Sequence, residues 1–194
     1  MRVAVVGTSG SGKTTFAARL AAAQGVRHID LDAVTWQPGW IALHETDPDE
    51  FIRRAAALMA EDAWVSCGNY ATRPQLLPRA THLVWLDYSR PRVMAQVIRR
   101  SFDRAVTKRE LWPGTGNREE FRRWLDKGHP IRWAWDTYDR RRLQYEALFA
   151  APAMAHVDKR RLRHPRDANV LIAQLSSSHG QPKAEPGGPK LTSC

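Results

Sequence analysis

The sequence has little cysteine and no long apolar run. Its 194 residues include two cysteines, Cys67 and Cys194, which are too few to build a disulfide-stabilised secreted domain. No uncharged apolar segment approaches the length that crosses a bilayer, and the N-terminus lacks the basic-then-apolar pattern of a secretory signal. These absences argue against membrane and disulfide-rich classes, and we expect a cytoplasmic protein with no membrane partner.

Acidic residues are scarce relative to basic ones, and the imbalance is confined to one block of the chain. The formal net charge is +10, and residues 90–166 hold 20 Lys/Arg against 9 Asp/Glu. Such a block is typical of a nucleic-acid surface or of a lid that grips phosphates. It is equally typical of a solvated face whose charges are paired with carboxylates. The charge pattern alone leaves these readings open.

Short apolar runs alternate with longer amphipathic segments along most of the chain. The runs predict five strands, at Val3–Val6, Arg27–Leu31, Trp64–Cys67, His82–Leu86 and Ala153–Val157. Helices are predicted over residues 13–24, 49–60, 90–108, 118–127, 130–149 and 165–175. This alternation favours an α/β fold with a parallel sheet in one domain over residues 1–175. The tail 176–194 is rich in Ser, Gly and Pro and predicts disorder.

The segment GTSGSGKT lies between the first predicted strand and the first predicted helix. Its Gly7, Gly12, Lys13 and Thr14 match the phosphate-binding pattern G-x-x-x-x-G-K-[ST] at every fixed position. Backbone N–H groups of such a loop form an anion nest at a helix N-terminus, where the helix dipole favours negative charge. The nucleotide-binding residues predicted on this basis are Gly7, Thr8, Ser9, Gly10, Ser11, Gly12, Lys13, Thr14 and Thr15.

Polar residues follow the second predicted strand. Asp30 and Asp32 in HIDLD alternate with apolar residues and therefore share one side of the strand. Near a polyphosphate, two carboxylates can bind Mg²⁺ or accept the proton of an attacking hydroxyl. Helix capping or a surface turn is the alternative. Downstream, Trp36 and Trp40 flank a Pro-Gly turn, where they can wall a pocket, stack on a base or cover the core.

The third and fourth predicted strands also end in polar residues. The third runs into CGNYATR, in which Gly68 permits close approach, Asn69 and Tyr70 offer hydrogen bonds, and Arg73 can pair with an anion. The fourth ends at Asp87 in VWLD, which is similar to a Walker B pattern and also typical of a simple turn. Ligands of open α/β sheets gather at these strand ends.

The helices of the basic block carry arginines at unusual positions. Arg92, Arg100 and Arg104 recur at spacings of four and eight, and like charges at such spacings repel unless an anion or carboxylate neutralises them. Arg141 and Arg142 interrupt the apolar face of the helix over 130–149. Their partner can be a phosphate or a nearby carboxylate, with candidates Asp136, Asp139 and Glu146.

Taken together, the motifs resemble the adenylate-kinase-like family of P-loop kinases. More narrowly, they resemble the subgroup labelled DNA topology modulation protein or adenylate-kinase-related kinase. The resemblance covers about residues 1–175 and rests on GTSGSGKTT, LDAVTWQPGW, WVSCGNY with Arg73, VWLD and RRSFDR…RELWPGTGNREEF. It implies a P-loop NTPase three-layer sandwich with a five-stranded parallel sheet of order 2-3-1-4-5. It also implies an acceptor site between strands 2 and 3 and a mobile, helical, arginine-rich lid over about residues 100–130.

The resemblance further implies ATP and Mg²⁺ as cofactors and a set of site residues. The expected catalytic residues are Lys13, Asp32, Arg100 and Arg104. The expected acceptor-binding residues are Asp30, Trp40, Gly68, Asn69, Tyr70 and Arg73. The expected magnesium-binding residues are Thr14, Asp32 and Asp87.

The sequence departs from the family at two places. Cys67 precedes Gly68 where adenylate-type kinases commonly have an aspartate that supports Mg²⁺. The carboxylate would then come from Asp30, Asp32 or Asp87, as in kinases of the shikimate and gluconate type, which use a strand-2 D-x-D. In addition, GNYATR does not reproduce the Gly-Phe-Pro-Arg that frames AMP.

Three functions follow from these observations, in decreasing order of support. The first is an ATP-dependent kinase that transfers the γ-phosphate to a small-molecule acceptor, for example a nucleotide. The second is a nucleic-acid-associated ATPase, motivated by the basic block but lacking a helix-turn-helix or zinc pattern. The third is a nucleotide-binding protein without turnover, motivated by Cys67.

Overall fold

The structure is a computed structural model that describes residues 1–179. Its strands are β1 (Arg2–Gly7), β2 (Arg27–Asp30), β3 (Trp36–Gln37), β4 (Ile41–Ala42), β5 (Trp64–Cys67), β6 (His82–Leu86) and β7 (Asp158–Leu162). Its α-helices are α1 (Lys13–Gln24), α2 (Leu31–Thr35), α3 (Leu43–Thr46), α4 (Pro48–Leu58), α5 (Arg90–Thr107), α6 (Pro130–Ala150) and α7 (Pro165–His179). Single 3₁₀ turns occur at Pro38–Trp40, Asn69–Thr72, Leu77–Arg79, Phe121–Arg123 and Pro152–Met154.

Five strands form one parallel sheet in the order β2-β5-β1-β6-β7, and β3 and β4 pair separately as a short antiparallel hairpin. The predicted α/β class and five-stranded parallel sheet are therefore confirmed. The predicted order 2-3-1-4-5 differs from the observed one only in its numbering, because the observed numbering also counts the two hairpin strands β3 and β4. The sequence had not indicated β3 and β4, which lie between β2 and β5 along the chain.

Helices cover both faces of the sheet, which explains why the central strands are apolar throughout. In β1, Val3 and Val5 face one buried cluster with α1, α5 and α7, whereas Ala4 and Val6 face a second cluster with α4. Helix α6 reaches both, through Tyr138 on the first side and Tyr145 on the second. A strand buried on both faces needs an uninterrupted apolar sequence rather than an alternating one. The carboxyl ends of the strands consequently lie at one edge of a rigid core.

Several predicted element bounds are wrong. The last strand is Asp158–Leu162 rather than Ala153–Val157, because its sequence DKRRL pairs at the sheet edge and needs little apolar character. Residues 118–127 contain one 3₁₀ turn instead of a helix, so only the α5 part of the predicted lid is helical. The second strand ends at Asp30, since Leu31 begins α2.

Helix α7 continues to His179, past the predicted end at residue 175 and into the predicted tail. The rest of that tail, residues 180–194, lies outside the described residues. Within the described part, no helix combines the length and the apolarity that a bilayer crossing requires.

Candidate active site

The phosphate-binding loop, Gly7–Thr14, connects β1 to α1. Gly12 is the N-cap of α1 in a left-handed conformation with φ 88°, and no side chain caps the helix. The first N–H groups of α1 are therefore available to an anion. At Gly10 a Cβ atom would lie 2.7 Å from Cβ of Val97 and 3.0 Å from the carbonyl oxygen of Val93. Glycine is needed here because α5 packs directly on the loop.

Lys13 lies across the same loop. Its Nζ donates hydrogen bonds to the carbonyl oxygens of Gly7 and Thr8, at 2.9 and 3.1 Å. An ammonium group has three donors, so one remains for a phosphate oxygen. Burial lowers the pKa of Lys13, and the negative charge of Asp32 opposes that shift. Lys13 and Asp32 thus belong to one electrostatic cluster.

The two strand-end aspartates occupy different positions at the end of β2. Asp30 caps α2, because its Oδ1 accepts a hydrogen bond from the Asp32 N–H at 3.0 Å. The capping alternative therefore holds for Asp30, while Asp32 lies in the first turn of the helix. Burial raises the pKa of both carboxyls, and the neighbouring Asp30 raises that of Asp32 further. The charges of Lys13, Arg100 and Arg104 counteract this rise at Asp32.

Arg100 and Arg104 extend from α5 toward this cluster. Burial, together with the charge of Arg104, lowers the pKa of Arg100 to about 10. The Nε atoms of both arginines are buried and have no hydrogen-bond partner among residues 1–179. Arg104 has a carboxylate at ion-pair distance, Glu119, with 3.9 Å between Nη1 and Oε2. Half-buried arginines with buried, unpaired Nε donors are well suited to bind an anion.

A third guanidinium, Arg141, reaches the same region from α6. Its positive charge lowers the pKa of Lys13 and also acts on Tyr70 and Tyr145. Its Nε is buried without a hydrogen-bond partner in the described chain, and Nη1 contacts only the side chain of Gln144, at 3.3 Å. The sequence had identified Arg141 as an interruption of an apolar helix face, but only the fold aims it at the phosphate-binding loop.

Asp87, predicted to bind magnesium, is engaged by two arginines. Arg161 donates to Oδ2 from Nε and Nη2 at 2.9 and 2.6 Å, and Nε of Arg142 lies 3.2 Å from Oδ1. Arg142 therefore pairs with a carboxylate, but with Asp87 rather than with one of the predicted candidates Asp136, Asp139 and Glu146. Both oxygens of Asp87 are consequently occupied in a structural ion pair.

Cys67 ends β5 beside the predicted metal ligands. Its Sγ lies 3.6 Å from Oδ1 of Asp30, 3.8 Å from Oγ1 of Thr14 and 3.4 Å from Nε2 of His28. Burial, reinforced by the charge of Asp30, raises the pKa of the Cys67 thiol. The thiol is therefore protonated near neutral pH and supplies no anionic ligand.

The donor set at this edge fits Mg²⁺ only in company with phosphates. Residues 1–179 contain no group of three or more His, Cys, Asp or Glu side chains arranged to hold a metal. Mg²⁺ is commonly held by one or two carboxylates together with substrate phosphates and water. The Thr14 hydroxyl and the Asp32 carboxylate match that mode of binding.

Four of the six residues predicted to bind the acceptor, Gly68, Asn69, Tyr70 and Arg73, lie on the loop after β5. Gly68 has φ 112°, and a Cβ atom there would lie 3.1 Å from Cβ of Leu31. Tyr70 packs on His44 and Phe51, with ring centroids 4.7 and 5.2 Å apart. Burial raises the pKa of Tyr70 to about 12, so its phenol is neutral. This side of the site is therefore a partly aromatic wall.

Two further residues predicted to bind the acceptor, Asn69 and Arg73, lie on the same loop. Asn69 has a buried Oδ1 that no described residue meets with a hydrogen bond. Arg73 lies with its Cζ 5.3 Å from the ring centroid of Phe51. Both remain available to a polar ligand.

The β3–β4 hairpin, which contains Trp40, contacts the segment that follows α5. Trp36, Trp40 and Trp112 form a three-tryptophan cluster in which every pair of ring centroids lies 5.9 or 6.0 Å apart. Trp36 and Trp40 are half-buried and pack on Trp112 rather than in the core. Sequence reasoning gave no role to Trp112.

Several arginines outside the site pair with surface carboxylates. Arg109 contacts Asp103 at 3.1 Å, Arg132 contacts Asp136 at 2.7 Å, and Arg90 pairs with Asp139. For these arginines, the alternative of a solvated face with paired charges, which the sequence analysis left undecided, is therefore correct. The basic block therefore divides into paired surface arginines and the buried group directed at the phosphate-binding loop.

The fold of this chain is similar to that of solved small-molecule kinases. Shikimate kinase from Acinetobacter baumannii, solved in complex with shikimate, superposes with a TM-score of 0.53 at 18% identity, covering 92% of this chain and 94% of the kinase. Shikimate kinase from Aquifex aeolicus superposes with a TM-score of 0.50 at 16% identity, covering 93% of this chain and 100% of the kinase. No family model matches the sequence, and no curated protein matches it.

Proposed function

We propose that this protein is an ATP-dependent kinase that transfers the γ-phosphate of MgATP to a hydroxyl group of a small, anionic acceptor. The observation that carries the proposal is that Asp32, beside the phosphate-binding loop, interacts electrostatically with Lys13, Arg100 and Arg104. Phosphoryl transfer needs positioning and stabilisation of spreading negative charge more than covalent chemistry. A carboxylate facing three cations at the end of a phosphate loop meets that need.

Each residue has a separate task in this proposal. Lys13 and the N–H groups of the loop bind the β- and γ-phosphates. Arg100 and Arg104 direct their unpaired donors at the transferring group, and Asp32 orients the attacking hydroxyl and accepts its proton. Mg²⁺, when bound, neutralises phosphate charge, with Thr14 and Asp32 as its protein ligands. Asp87 is not proposed as a ligand, because its oxygens are paired with arginines.

The acceptor is proposed to lie between the β2 end, the loop after β5 and the lid. Arg73 and Arg141 supply positive charge there, Asn69 supplies an unpaired carbonyl oxygen, and Tyr70 supplies an aromatic wall. The similar shikimate kinase from Acinetobacter baumannii was solved in complex with shikimate, a hydroxylated carboxylate, which is compatible with this chemistry. We include nucleoside monophosphates among the acceptors because the sequence motifs also resemble nucleotide kinases.

An acceptor screen tests the proposal. Purified protein is incubated with MgATP and one compound at a time from nucleoside monophosphates, nucleosides, sugar acids and hydroxylated ring carboxylates, and ADP is measured. We expect at least one anionic acceptor to stimulate ADP release, and Lys13→Ala to abolish it. If no acceptor stimulates release while ATP still binds, the protein binds nucleotide without turnover.

The narrower resemblance to the topology-modulation subgroup remains a proposal of its own. It is supported by the contact between the LDAVTWQPGW and RELWPGTGN segments, whose tryptophans pack together. Direct nucleic-acid binding would appear as DNA affinity that falls steeply with salt. Absence of binding at low salt would exclude this reading of the subgroup label.

A further inference from the structure

Asn117 in the lid binds the backbone of the β3–β4 hairpin through both of its amide atoms. Its Oδ1 accepts a hydrogen bond from the N–H of Trp40 at 3.0 Å, and its Nδ2 donates to the carbonyl oxygen of Gln37 at 2.9 Å. The side chain is 2% exposed. A buried amide with both ends bonded to one distant loop is a specific connection, because either lost partner would leave a buried polar group unpaired.

The hairpin adopts a backbone that favours such a connection. Trp40 has φ 64° and follows Gly39 with φ 72°. The left-handed region is unfavourable for a non-glycine residue. The bond from the Trp40 N–H to Asn117 stabilises this conformation, so the hairpin geometry depends on a residue from the lid.

The three-tryptophan cluster surrounds the Asn117 bonds. Trp112 stacks on Trp36 with an interplanar angle of 22°, and it meets the edge of Trp40. On the other side, Cζ of Arg123 lies 5.1 Å from the Trp40 ring centroid. The lid segment from Trp112 to Arg123 therefore encloses the hairpin tip with aromatic and cation–π contacts.

The same lid segment also contacts the arginine helix. Glu119, two positions after Asn117, is 4% exposed, and its Oε1 lies 3.1 Å from Nε2 of the buried His129. Its Oε2 faces Arg104 of α5 at 3.9 Å, and its charge acts on Arg100 as well. One short stretch of chain thus contacts the hairpin through Asn117 and lies within ion-pair distance of Arg104 through Glu119.

We propose that Asn117 is a positioning residue that fixes the β3–β4 hairpin to the lid, so that the hairpin wall and the arginines of α5 are placed as one unit. That the hairpin forms a wall of the acceptor site rests on the proposed function. The attachment of the hairpin to the lid does not, because it follows from the two hydrogen bonds of the Asn117 side chain alone. Binding of a polyphosphate by Arg100 and Arg104 is then transmitted through the lid to the hairpin.

Hydrogen exchange of the full chain, with and without MgATP, tests the connection. In the wild type we expect MgATP to slow exchange in the phosphate-binding loop and in the peptide spanning residues 36–42. In Asn117→Ala the hairpin peptide should exchange about tenfold faster. It should also lose most of its response to MgATP, while the loop peptide keeps its own response. Asn169→Ala, which removes an exposed hydrogen bond to Arg19, is the matched control and should resemble the wild type.

A second variant covers the case in which Asn117→Ala does not fold. Asn117→Asp retains the acceptor for the Trp40 N–H but loses the donor to Gln37, so an intermediate gain in hairpin exchange is expected. Unchanged hairpin exchange and an unchanged response to MgATP in either folded variant would overturn the proposal.

Kinetics separates this proposal from the proposed function. With an acceptor identified by the screen, Asn117→Ala should raise the acceptor KM about tenfold, while the Kd of MgATP from equilibrium dialysis stays within about twofold. If the acceptor KM and the Kd of MgATP rise by the same factor, Asn117 has a merely structural role, which would count against positioning. If no acceptor is found, the kinase proposal fails, whereas the exchange result still decides the connection between lid and hairpin.

Discussion

Asp87 and Arg161 form an ion pair in which two donors of one guanidinium meet a single carboxylate oxygen, at 2.9 and 2.6 Å. The Asp87 side chain is 6% exposed, and Arg142 approaches its other oxygen. Because Asp87 follows β6 and Arg161 belongs to β7, the pair joins the ends of two neighbouring strands. A sequence pattern typical of a magnesium-binding aspartate is therefore a structural element in this chain.

Substitution of Asp87 and of Asp32 should distinguish a residue that stabilises the fold from one that takes part in catalysis. Asp87→Asn should lower the free energy of unfolding by about 1–3 kcal/mol, because hydrogen bonds to a charged group are lost while Arg161 stays partly buried. Asp32→Asn should leave stability nearly unchanged or raise it, and should lower kcat and Mg²⁺ affinity. Denaturant unfolding and Mg²⁺ titration of ADP release measure both effects. Loss of Mg²⁺ affinity in Asp87→Asn would contradict the assignment.

The arginines of α5 should act mainly in the transition state. Arg104→Gln and Arg100→Gln should each lower kcat by about 10²–10³-fold, the range seen when one donor to a developing charge is removed. The KM for MgATP should change much less, since the loop and Lys13 bind the ground-state phosphates. Arg99→Gln is the control on the same helix, because that residue is exposed. Steady-state kinetics with the acceptor found by the screen provides the measurement.

The paired carboxyls should determine the acidic limb of the pH profile. Burial and the Asp30 charge raise the pKa of Asp32, so activity that needs ionised Asp32 rises with pH at a higher pH than an ordinary carboxylate would give. Asp30→Asn removes the neighbouring charge, lowers the pKa of Asp32 and should shift this limb to lower pH. Profiles of kcat/KM for both proteins test the direction. A shift to higher pH would show that Asp30 does not act on Asp32 in this way.

The same shifts have a consequence for stability. A carboxyl whose folded pKa lies above its unfolded value binds more protons when folded, so stability falls as pH rises from the ordinary carboxyl range through the raised pKa. Asp30→Asn and Asp32→Asn should both weaken this pH dependence. Melting temperatures measured across that window provide the comparison.

Cys67 should not be required for turnover. Because burial raises the pKa of its thiol, it contributes no negative charge, and Cys67→Ser should keep kcat within about threefold of the wild type. Cys67→Asp would place a third carboxylate beside Asp30 and should bind Mg²⁺ differently rather than create activity. An inactive wild type together with an active Cys67→Asp would favour a nucleotide-binding protein without turnover.

The sequence by itself determined the phosphate-binding loop, the parallel α/β sheet and the two aspartates at the end of β2. These features depend on short-range patterns: a glycine-lysine spacing, continuous apolar strands and a period of two. The same patterns gave wrong bounds for β7 and a wrong helix over residues 118–127. Both segments are charged, and their structure depends on contacts with neighbouring segments rather than on their own periodicity.

Only the tertiary structure decided which charged residues serve the site. Asp32 and Asp87 look alike at the ends of their strands, yet Asp87 is paired with Arg161 and Asp32 faces Lys13. Likewise Arg141 and Arg142 are adjacent, and one reaches the phosphate loop while the other pairs with a carboxylate. The connection of Asn117 to Trp40 spans 77 positions. A pattern in the sequence fixes which groups are present, but partners brought together from distant positions decide whether a charge is neutralised or left available, because electrostatic pairing depends on distance in space.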